Sequence, residues 1–148
     1  MLLEDIEDGL YRYRAVCKVV IYGDTLKLDI DLGIRTHNIQ NVRLLGINTP
    51  EICGRAKNDK DYEKGLAAGE EVARLLKPEG LGRYLKRHVS PDIYAGEPTP
   101  LWIRSKKDKV GRYGRFLADV WFWREEDATV VSLKKHLLDK GLAYEVIT

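Results

Sequence analysis

The sequence predicts an α+β fold, mainly β: a five-stranded Greek-key barrel of the OB type with two or three helices. Three observations lead there. Apolar residues alternate at period two in successive runs joined by short turn signals. The period turns helical twice, after the third run and after the fifth. Five short strands in a flat sheet would leave exposed edges, which closure removes. With 148 residues the chain has room for one domain with a real core and would be crowded as two, so a single domain over 1–148 is expected.

Met1 to Leu10 shows no clear period and reads as a peripheral lead-in. From Tyr11 to Tyr22, residues Tyr11, Tyr13, Ala15, Cys17, Val19 and Ile21 share one side, the pattern of a long strand. Gly23-Asp24 is a hairpin signal. Leu26, Leu28 and Ile30 then alternate with Lys27, Asp29 and Asp31, as in a half-buried antiparallel strand. Gly33 marks the next turn, and Ile39 to Ile47 returns as a third strand. It stops at Asn48-Thr49-Pro50, because Pro lacks an N–H and biases the preceding residue away from helical angles.

Asn58 to Lys77 reads as a helix with Leu66, Gly69, Val72, Ala73 and Leu76 on one face and Lys64, Glu71, Arg74 and Lys77 largely on the other. Asp59 or Asp61 can cap it, and Pro78 ends it. Residues 79–100, rich in Gly and Pro, read as a loop insertion with a helical turn over Arg83 to Val89. Leu101 to Lys106 is a short strand, Lys107 to Gly114 a polar turn, and Arg115 to Trp123 a strand apolar on both faces. Ser132 caps a helix over Leu133 to Lys140, Gly141 stops it, and Leu142 to Ile147 closes the chain. Trp102, Trp121 and Trp123 are expected in core and edge packing.

Composition excludes several classes. Apolar residues make up 44% and charged residues 32%, which rules out a disordered tail. No apolar run approaches the roughly 20 residues of a membrane span. The start lacks a basic region followed by a long apolar one, so a cytoplasmic chain is expected, with a secreted mature form as the other possibility. Cys17 and Cys53, the only cysteines, are too few and too far apart for a zinc site and read as reduced. His37, His88 and His136 lack metal-ligand spacing. The net charge of +2 permits a nucleic-acid partner without arguing for one. The local runs RYLKRH (Arg83 to His88) and RSKKDKVGRYGR (Arg104 to Arg115) are more informative, because Tyr84 and Tyr113 lie among the bases, as in a phosphate-tracking groove.

Polar residues at strand ends suggest a site. In a meander the exits of the first and third strands lie at one end, so Asp24 and Asn48 can converge on a hard cation through oxygen. Two arginines are the usual clamp for a phosphoryl group, because the guanidinium fork fits phosphate oxygens; Arg43 lies in the third strand and Arg115 opens the fifth. Plainer readings stand beside these. Asp24 could be only a turn residue, Arg115 could pair with Glu51 in a structural salt bridge, and Arg43, inside an apolar strand, needs some partner.

Four blocks occur in order: Gly23-Asp24-Thr25; VRLLGINTPE from Val42 to Glu51; YGRFLA from Tyr113 to Ala118; and Gly141-Leu142-Ala143. Together, from about Tyr13 to Ala143 without 79–100, they resemble the staphylococcal nuclease (thermonuclease) family. The resemblance implies calcium held by Asp24, Asn48 and the Thr49 carbonyl, with Glu51 activating the attacking water. It implies Arg43 and Arg115 on the scissile phosphate, and Arg112 and Tyr113 on a neighbouring one. The implied activity is hydrolysis of phosphodiester bonds in single-stranded DNA or RNA by a monomer; the other expectation is a catalytically silent nucleic-acid-binding module of the same fold. Three departures stand out. Asn48 replaces a family carboxylate, 79–100 exceeds the family's turn, and the tyrosines that follow the GLA block are missing, which leaves Tyr144 as a substitute stacking ring.

Overall fold

The computed structural model describes residues 1–52, 60–110 and 114–147, apart from the side chains of 107–110. In chain order the first half comprises α1 (Leu3–Gly9), β1 (Arg12–Tyr22), β2 (Thr25–Gly33), β3 (Thr36–Leu44), β4 (Ile47–Asn48) and α2 (Lys60–Leu76). The second half comprises β5 (Gly80–Leu81), α3 (Arg83–Lys86), a 3-10 turn at Pro91–Tyr94, β6 (Leu101–Val110), β7 (Phe116–Arg124), β8 (Thr129–Ser132), α4 (Leu133–Asp139) and β9 (Tyr144–Glu145).

Strand β1 pairs antiparallel with β2 and β6, β2 antiparallel with β3, β7 antiparallel with β6, and β3 parallel with β7. The ring β1-β2-β3-β7-β6 therefore closes as the expected five-stranded barrel. Its interior is filled from every strand, by Cys17 and Val20, Leu26 and Leu28, Val42 and Leu44, Leu101 and Ile103, and Val120 and Phe122. Helices α2 and α4 add Val72, Ala73, Leu76, Leu133 and Leu137 to the same core.

Several expectations are corrected. The period-two pattern of β1 breaks at a register shift between Cys17 and Val19, so Val20 is fully buried in place of Val19. A bulge adds one residue and reverses the phase of all that follow. The third strand ends at Leu44, three residues early; after the Leu45-Gly46 turn the chain resumes as β4, which pairs with β9 outside the barrel. Strand β6 runs on to Val110. The described residues contain four α-helices, one more than the upper expectation, because the lead-in forms α1, which buries no residue and so leaves no core-facing stripe in the sequence. Helix α2 starts at Lys60 in the described chain, and the expected first residues Asn58 and Asp59 lie outside the described residues. Trp102, Trp121 and Trp123 occupy the outward side of β6 and β7, partly buried, rather than the core; Trp102 stands opposite Trp121.

Residues 79–100, expected as a loop, carry a short strand, a short helix and a 3-10 turn. Strand β5 extends the sheet in parallel beside β1, and Leu81, Leu85, Val89 and Thr99 are buried. The expected cap of α4 holds, since the Ser132 hydroxyl accepts from the Lys135 N–H at 3.2 Å; the helix ends at Asp139, one residue early, with Gly141 beyond it at φ +70°. Cys17 is a buried free thiol whose pKa burial pushes up, an inert core group; Cys53 lies outside the described residues. Among the described residues no helix is long and apolar enough to cross a membrane.

Candidate functional site

The β1–β2 turn and the exit of β3 are joined by backbone and side chain together. The Leu44 N–H donates to the Asp24 carbonyl at 2.9 Å, and Thr25 stands opposite Arg43 in the β2–β3 register. Asp24 is 5% exposed, and each of its carboxylate oxygens has a donor: Oδ1 accepts from the Thr25 hydroxyl and Oδ2 from the Thr49 N–H, both at 2.9 Å. The Arg43 guanidinium lies 3.5 Å from Oδ2. The partner that a charged residue in an apolar strand requires is thus Asp24. One such contact leaves most of the guanidinium's five donors available to a ligand.

Arg115 enters from another direction. It precedes β7, whose parallel pairing with β3 places Phe116 beside Val42. Its Nη1 donates to the Thr25 hydroxyl at 3.5 Å, so Thr25 links the Asp24 carboxylate to Arg115. Glu51 follows the turn that Asp24 pins through Thr49. It is exposed, and no residue among those described hydrogen-bonds or pairs with it, so the Arg115–Glu51 salt bridge considered above is not formed. Helix α2 packs behind this turn. A Cβ added at Gly65 would lie 2.5 Å from the Pro50 carbonyl oxygen, so only glycine allows that approach.

Asp24, Arg43, Asn48, Thr49, Glu51 and Arg115 all line one open cavity of about 720 Å³. The proposed site residues that fall within the described chain therefore share one pocket. Arg112 and Tyr113 lie outside the described residues. The pocket has walls that sequence reasoning missed. Lys64 and Asp61 of α2 line it, Lys64 from the face opposite the apolar stripe. Tyr22 and Thr25 line it too; the GDT block carried Thr25 but assigned it no task. Tyr144, which the sequence offered as a substitute ring, also lines it at 53% exposure, held there because β9 sets Tyr144 opposite Asn48.

The donor set suits a hard cation, with low charge. The Asn48 Oδ1 is buried and has no hydrogen-bond partner among the described residues, which leaves an amide oxygen free to ligate. No group of three or more His, Cys, Asp and Glu side chains gathers anywhere among the described residues, so a cation here would rest on Asp24, Asn48 and a backbone carbonyl. No protein-family model matches the chain, and no curated protein matches it.

Proposed function

We propose that the chain is a metal-dependent phosphodiesterase, an endonuclease acting on single-stranded DNA or RNA. The supporting observation is the convergence of two guanidiniums, a carboxylate without a partner among the described residues and a hard-oxygen donor set in one open cavity. Glu51 accepts the proton of the attacking water while that oxygen bonds to phosphorus and the bond to the leaving oxygen breaks. Arg43 and Arg115 offset the negative charge that grows on the phosphate oxygens. Asp24, Asn48 and the Thr49 carbonyl would hold calcium, which when bound supplies further positive charge at the phosphate. Arg112 and Tyr113, carried over from the family resemblance, are assigned to a neighbouring phosphate.

The test is cleavage of labelled single strands with calcium and with chelator. Glu51→Gln and Arg43→Ala should each lower the rate by about 100-fold or more. Unchanged turnover in either variant would overturn the assigned roles. One observation favours the second reading, a silent nucleic-acid-binding module: Asn48 leaves Asp24 as the only carboxylate in the cation donor set. In that case calcium fails to bind, strands survive intact, and binding weakens steeply with salt.

A further inference from the structure

The insertion at 79–100 is fixed against the strand that delivers Asp24. The Glu79 N–H donates to the Lys18 carbonyl at 3.0 Å and the Gly82 N–H to the Val20 carbonyl at 2.8 Å. Gly82 lies so close to β1 that an added Cβ would sit 2.7 Å from the Ile21 carbonyl oxygen. Leu85 is fully buried, and the Tyr62 hydroxyl meets His88 Nε2 at 2.8 Å. These ties set α3 beside Tyr22, the last residue of β1 and part of the cavity wall.

The rings then form a series leading out of the cavity. Tyr22 stacks on Tyr84 with centroids 6.4 Å apart and planes 26° from parallel. The Arg83 guanidinium lies 5.3 Å from the Tyr84 centroid. Arg83, Lys86 and Arg87 are exposed, and among the described residues none of them has a carboxylate partner. A ring in the wall of a cavity lined by two arginines, backed by a second ring and followed by three exposed cations, is complementary to a strand of bases and phosphates.

We infer that the insertion is a substrate-binding subsite. It receives the single strand beyond the nucleotides at the cleavage site, with Tyr22 as the base platform, Tyr84 as its positioning support, and Arg83, Lys86 and Arg87 on phosphates. The inference rests on the nuclease reading above and adds where the rest of the substrate runs. The neighbouring-phosphate contacts of Arg112 and Tyr113 belong to the cleavage site itself.

The test compares an oligothymidylate of about 12 nucleotides, which reaches the insertion, with a thymidine dinucleotide, which fills only the cleavage site. In the full chain with calcium, Tyr84→Leu should raise KM for the long substrate about tenfold and KM for the dinucleotide several-fold less. Tyr84→Phe keeps the ring and should restore the wild-type KM. Arg83→Ala with Arg87→Ala should reduce the slope of log affinity against log salt for the long strand by about 1.5. Thermal melting identifies any variant that fails to fold, and the arginine pair, exposed and outside the core, keeps the test decisive in that case. If the wild type cleaves both lengths and the variants change neither, or change both equally, the inference is overturned while the nuclease reading stands. If the wild type neither binds nor cleaves either substrate, both fall.

Discussion

Asp24 joins three parts of the site, and its removal should be felt as stability before it is felt as activity. In Asp24→Ala the Thr49 N–H, in a residue 4% exposed, loses its only side-chain acceptor. The Thr25 hydroxyl loses its acceptor, and Arg43 loses the carboxylate 3.5 Å away. A hydrogen bond to a charged group contributes about 1.5–3 kcal/mol, and removing one partner of a buried charged pair costs about 3–5 kcal/mol. Because the shared carboxylate cannot be counted twice, the expected loss is about 4 kcal/mol, or roughly 10 °C in Tm for a chain of this size. Asp24→Asn keeps an oxygen for Thr49 without the charge for Arg43 and should lose about 2 kcal/mol. Urea denaturation measures both, as a lower midpoint at constant m. Glu51→Gln, at an exposed carboxylate without a partner among the described residues, should stay within about 0.5 kcal/mol of wild type. A loss below about 1 kcal/mol in Asp24→Ala would show that the carboxylate does not hold the Thr49 turn, and the account of how Glu51 is positioned would fail with it.

Gly65→Ala drives a methyl into the Pro50 carbonyl and should move the turn carrying Glu51. We expect kcat to fall about 100-fold with a stability loss of only about 1–3 kcal/mol, and equal kcat in the two proteins would refute the close packing as a constraint. Glu71 bridges Arg74 at 2.8 Å and His136 at 2.6 Å. Burial acts to raise its carboxyl pKa, but the hydrogen bonds and charges of Arg74 and His136 outweigh it and hold the pKa below the ordinary 4.5. A folded pKa below the unfolded one stabilises the fold above the unfolded value and loses that effect as pH falls through the folded one. The stability advantage of wild type over Glu71→Gln should therefore shrink as pH drops below about 4.5 in denaturation midpoints, and an advantage that grows there would contradict the sign. Ser132→Ala removes the cap on the Lys135 N–H and should lower stability by about 1 kcal/mol without changing catalytic constants; an altered kcat would mean that α4 does more than close the core.

Where a residue faces a single buried surface, the sequence alone was enough. The alternation of Leu26, Leu28 and Ile30, the stripe through Val72, Ala73 and Leu76, and the Ser132 to Gly141 boundaries were legible because each pattern has one local cause. The barrel followed, since short strands joined by turns have few ways to hide their edges. Tertiary structure decided what depends on a partner remote in the chain. A bulge between Cys17 and Val19 moved burial to Val20, and nothing local marks an extra residue until a second strand sets the register. Residues 79–100 read as a loop because Gly and Pro punctuate them, and only the folded chain shows that Leu81, Leu85 and Val89, four residues apart, are buried where the segment runs beside β1. Of the candidate site, Asp24 and Asn48 were suggested by their places at strand ends, while the tasks given to Arg43, Thr49, Glu51 and Arg115 came from the family resemblance. That they share one cavity, joined there by Lys64, Tyr22 and Tyr144, follows only from closing the barrel, because the β3–β7 register sets the start of β7 beside the last residues of β3.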